Sequence, residues 1–157
     1  MSDAREDERL HDVRLLGVPV RVLVASRQHH DELMHEFALL AVAEPQEDVP
    51  QRMITLIDTL GRQYASATER PDSEVDAGLA RGDDTVDLTY HVSAHVVEAA
   101  DRLAELMREA DEFCAREEML TMQRSETMRE FAQWYLDEFR RQVGGEPPRP
   151  WDGPLDA

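Results

Sequence analysis

Between Pro19 and Val42 the chain reads VRVLVASRQHHDELMHEFALLAV after the proline, with apolar side chains at Val20, Leu23, Val24, Met34, Phe37, Ala38 and Ala41. Spacings of three and four residues place these on one helical face, Pro19 suits a first turn, and Pro45 closes the segment. A long amphipathic helix must bury its stripe against other elements, so this stretch constrains the fold more than any other. Val18, Val20, Val22 and Val24 also alternate, which leaves a strand open at its start.

Three further helices follow from the same reading. Pro50 starts a second, with Val49, Met53, Leu56, Ile57, Leu60 and Tyr64 in one stripe and an end near Thr68. The segment 69–85 (ERPDSEVDAGLARGDDT) has a proline, two glycines and many acids without a period, and is expected to be a long loop. Thr85 or Asp87 then caps a third helix carrying Leu88, Val92, Val96, Ala99, Ala100, Leu103, Met107, Ala110 and Cys114. A fourth runs from Ser125 through Met128, Phe131, Ala132, Tyr135, Phe139 and Val143 to a stop at Gly144 and Gly145. The expected fold is all-α: an antiparallel four-helix bundle over residues 13–145. Val13–Val18 would form an extended N-terminal cap, residues 1–12 a disordered acidic tail, and residues 146–157 a Pro-rich tail.

In a chain of 157 residues, 34 acidic side chains face 17 basic ones, every one of them arginine, for a net charge of -17. That excess repels nucleic acid and anionic membranes and favours a basic protein partner. No apolar run approaches the roughly 20 residues that cross a bilayer, and the N-terminus lacks the order of a secretory signal, so a cytoplasmic protein is expected. The lone Cys114 lies in a helical pattern and reads as a small buried hydrophobe rather than a nucleophile.

Helical bundles can hold metals on inward-facing side chains, which makes the histidines worth testing. Glu32 and His35 have the spacing of one half of a di-iron site, but no second Glu-x-x-His occurs. His91 and His95 stand four apart, yet no histidine follows them to complete a hemerythrin-like set. On a helical wheel, Arg27 and His30 fall within the apolar face of the first helix, and His95 lies at the edge of the third. These three could line a polar pocket for a small ligand or a metal sensor, or Arg27 and His30 could bond an acid such as Glu98. The loop Asp72-x-Glu74-x-Asp76 starts like a calcium-binding hand, but Ala77 and Asp83 stand where it needs glycine and glutamate. No phosphate-binding glycine loop or nucleophile motif occurs, so neither an enzyme nor a required metal or cofactor is expected.

Trp134 and Ile54 sit off their stripes, and Trp151 lies in the tail, so these three are candidate anchors for a protein partner. Trp134 could equally be covered by the tail, or could join two copies into a homodimer. The stretches VRLLGVPVRVLVASRQHHDELMHEFALL and FAQWYLDEFRRQVGGEPPRPW resemble parts of uncharacterised actinobacterial proteins found beside serine phosphatases, anti-sigma antagonists and histidine-kinase-like ATPases of stress signalling. That resemblance implies a regulatory module that acts by binding a signalling protein, and it carries no functional residues with it.

Overall fold

The computed structural model describes residues 9–117, 119–121 and 123–157. Among these, strand β1 (His11–Pro19) leads into α1 (Val20–Ala43), α2 (Asp48–Gln63) and α3 (Ala65–Arg81), and β2 (Thr85–Val92) leads into α4 (Val96–Arg116) and α5 (Glu126–Val143). The all-α bundle is therefore corrected in three places. The expected cap is part of a strand, the expected loop is mostly α3, and the first two turns of the expected third helix are β2. Of the expected acidic tail, residues 1–8 lie outside the described residues, and His11 and Asp12 already belong to β1.

The two strands pair antiparallel, from His11 opposite Val92 to Pro19 opposite Thr85. Along β2, Val86, Leu88, Tyr90 and Val92 are buried while Thr85, Asp87, Thr89 and His91 are exposed, the alternation of a sheet with one face on the core. In β1 the register shifts between Leu15 and Val18, so Leu16 and Gly17 stand against Asp87. Gly17 has a positive φ of 68°, and its N–H donates to the Asp87 carboxylate over 2.8 Å. This bulge restores the phase: Val13 and Leu15 point inward, and the extra residue lets Val18 point inward too.

The outer edge of β1 is also occupied. Gln142 of α5 accepts from the Arg14 N–H and donates to the Arg14 carbonyl, both at 2.8 Å, as a neighbouring strand would. Further along, the Leu16 carbonyl accepts the N–H of Trp151 over 3.0 Å. The C-terminal segment thus folds back across the strand and protects an edge that would otherwise be open to another chain.

Two apolar clusters form the core. One gathers the sheet residues with Val20, Val75, Phe131, Trp134 and Phe139; the other joins Leu33 and Phe37 of α1 with Met53, Leu56, Leu106 and Phe113. Phe37 and Phe113 meet edge to face at 5.7 Å and are almost wholly buried. Helix α3 reaches the sheet through Gly78, where a Cβ would collide with the Val86 side chain. Pro71, Val75 and Gly78 are its buried residues, and they share one face. At α5 the sequence signals hold: the Ser125 hydroxyl accepts the Met128 N–H at 3.2 Å, and Gly144 terminates the helix. No helix among the described residues is long and apolar enough to cross a membrane.

Candidate ligand cavity

Between the two clusters lies a cavity of about 580 Å³. Its existence follows from residue size. Phe37 and Phe113 fill one end of the molecule and Tyr90, Phe131 and Phe139 the other, while Gly61, Ala67, Ala99, Ala100, Ala110 and Ala132 line the space between. Small side chains on facing helices leave the middle unfilled. At about 24 cal/mol per Å³, a sealed void of that size would cost on the order of 14 kcal/mol, as much as a whole domain's stability. The hollow is sustained as a cleft rather than a void, with the exposed Asp31 and Gly61 in its lining marking where it meets solvent.

Its walls are mostly apolar, with a few polar groups set into them. Helix α1 contributes Ser26, Arg27 and His30, and Tyr64 enters from the joint between α2 and α3. The Ser26 Oγ and the Tyr64 hydroxyl are buried without a hydrogen-bond partner among the described residues. Each such orphan costs about 1–3 kcal/mol. Opposite, the hydroxyl of Tyr135 donates to that of Tyr90 over 2.8 Å. Burial pushes both phenols above their ordinary range, Tyr135 the further, and the bond received from Tyr135 partly offsets the effect on Tyr90. Burial also raises Tyr64, with the charge of Glu98 adding to it.

The two arginines at the cavity are paired. Arg27 pairs with Asp72 of α3 at 2.7 Å, and Arg124 grips Asp111 at 2.7 Å with both partners largely buried. Burial holds His30 below its ordinary pKa, against the pull of Asp31, so it is neutral near pH 7. The loop bearing Arg124 is fastened from α1, where the Glu36 carboxylate accepts the N–H groups of Leu120 and Thr121 at 2.9 and 2.8 Å. Partial burial pushes the Glu36 carboxyl upward, but these donors outweigh it and hold the group below the ordinary carboxylate range.

Of the residues singled out from sequence, Arg27 and His30 line the cavity together, whereas His95 is exposed at the start of α4 and not in its lining. Arg27 takes Asp72 as its partner rather than Glu98. Trp134 is 7 % exposed and lies under the tail: its indole N–H donates to the Arg149 carbonyl at 2.9 Å, and its ring meets Trp151 at 5.6 Å. Trp151 is half-buried, and Ile54 packs against the second cluster. Among the described residues no group of three or more His, Cys, Asp or Glu side chains is placed to hold a metal. Burial, with the charges of Asp111 and Glu36, pushes the Cys114 thiol up to about 11, far from a reactive thiolate.

The sequence reading did not single out Ser26, Tyr64, Tyr90 or Tyr135 as site residues. Ser26 is next to Arg27 and four before His30, which was signal enough to include it; the tyrosines read as core. No family model, curated protein or solved structure matches the chain.

Proposed function

We propose that this protein is a non-enzymatic binding module whose cavity receives a small, largely apolar molecule. The supporting observation is the cavity of about 580 Å³, within the size range of ligand sites and lined mostly by apolar side chains. Ligands of this kind raise stability by mass action because they bind only the folded chain. The test is thermal unfolding against a panel of small apolar compounds, with wild type beside Gly61→Leu. A Cβ at Gly61 meets nothing within 4 Å and the backbone there is helical, so leucine narrows the cleft without disturbing the fold. The expected result is a rise in melting temperature for wild type that shrinks in Gly61→Leu. A panel that leaves wild type unmoved rejects the reading.

A second reading, a protein partner, draws on other residues than the tryptophans. Leu39, Val42 and Leu120 are 62, 85 and 94 % exposed, and Leu120 is tied to Glu36, one turn before Leu39. An acidic chain presenting these side chains suits a partner that is basic around an apolar centre, as in a regulatory complex. Capture of one host protein, weakened by salt and abolished by Leu120→Asp, supports it; capture unchanged in Leu120→Asp counts against it.

A further inference from the structure

We propose that the cavity selects an amine: an apolar body that fills the cleft, with its ammonium group held at the mouth by the carboxylate of Asp31. The inference rests on the ligand-binding reading above and adds the chemistry of the ligand. The body follows from the walls, which offer aliphatic and aromatic side chains to most of a guest's surface. The head follows from Asp31, which lines the cavity and is itself exposed to solvent. A guest can therefore sink its tail among apolar side chains while its charged end stays in water beside a carboxylate, as lysine side chains do on protein surfaces.

The charges around the cavity decide the sign of that head. Among the described residues Asp31 has neither an ion pair nor a hydrogen bond. Arg27, one turn earlier on α1, is the cation spaced to meet it, but its guanidinium is engaged by Asp72 of α3. His30, next to Asp31 in the chain, is held neutral near pH 7 by burial. Arg124, the other arginine in the lining, is engaged by Asp111. A carboxylate guest would have to take one of these arginines from its partner, and would approach a chain of net charge -17. An ammonium is drawn by the same field and finds an unpaired carboxylate to which its N–H groups can donate.

The experiment uses the full chain and the hydrocarbon dye diphenylhexatriene, whose fluorescence rises in apolar surroundings. Its displacement by decylamine, decanoate and 1-decanol is followed at concentrations below those at which these compounds aggregate. The pH is about 8, where an alkylamine is protonated, a carboxyl is ionised and an ordinary imidazole is neutral. Decylamine is expected to displace the dye at a concentration at least about fivefold lower than decanoate. In Asp31→Asn, decylamine should weaken by about threefold, the scale of one solvent-facing ion pair, while the dye and decanol stay within about 1.5-fold of wild type. Equal or better displacement by decanoate, decylamine unchanged in Asp31→Asn, or all three compounds and the dye weakened alike overturns the proposal and leaves the cavity reading standing. Failure of wild type to bind the dye overturns both.

Discussion

The hydroxyl of Tyr135 lies 2.8 Å from that of Tyr90, and their rings meet nearly perpendicular at 6.0 Å, so that α5 is joined to β2 at the back of the cavity. Tyr135→Phe removes the donor and leaves the Tyr90 hydroxyl short of a partner in a buried place. A loss of about 1 kcal/mol is expected, read from urea unfolding. Adding Tyr90→Phe should recover part of it, because the second polar group is then gone.

Glu138 makes a second test of how the tail is held. Its carboxylate is fully buried, accepts the Arg149 N–H over 2.5 Å, and takes a bond from the Arg141 guanidinium. Glu138→Ala leaves the Arg149 N–H unmatched and Arg141 with only Glu146, 3.6 Å away. It should cost roughly 3 kcal/mol and shift tryptophan emission to the red as Trp134 and Trp151 lose their cover. An unshifted spectrum would mean that the tail is held without this carboxylate.

Close packing at Gly78 predicts an equally local effect. Gly78→Ala is favourable for an isolated helix by about 1 kcal/mol, yet here the new methyl group meets the Val86 side chain. The clash should win, with a net loss of about 1–2 kcal/mol on chemical unfolding. The double variant with Val86→Ala should relieve most of it.

Acid sensitivity is expected from His30. Because its folded-state pKa lies below 6.5 and the unfolded chain takes up a proton at 6.5, stability is complete above that pH and declines as pH falls below it. Unfolding curves between about pH 8 and pH 5 should show this slope in wild type and a flatter one in His30→Gln. Equal slopes would assign the sensitivity to other groups.

The fourfold spacing of Leu88, Val92 and Val96 explains why the sequence of β2 reads as helix. Four is close to one helical turn and also a multiple of two, so these positions suit either period. Val86 and Tyr90 supply the missing alternate positions, and the threonines, valines and tyrosine between residues 85 and 92 favour a strand. Helix α3 was hidden differently. Its buried face offers only Pro71, Val75 and Gly78, too little apolar area to register as a stripe, and contact with the sheet sustains it despite a proline inside. By contrast α1, α2, the later part of α4 and α5 carry full stripes and were legible. Arg27 and His30 were visible as polar residues in the phase of such a stripe. The cavity was not, because it depends on where small residues from four elements meet, which spacing along one helix does not reveal.

The pairing of β1 with β2 across α1, α2 and α3 has a consequence for the order in which the chain can fold. Antiparallel neighbours are commonly joined by a tight turn, but here three helices must be made before the second strand exists. During synthesis, at roughly 5–20 residues per second, Val13 and Leu15 therefore spend seconds without their strand partners. The Gln142 and Trp151 contacts to the other edge arrive later still. Folding should accordingly be slow for a mostly helical protein, with α1 and α2 able to pack through Phe37, Met53 and Leu56 before the second strand exists. The exposed early strand is the segment that a chaperone would be expected to shield.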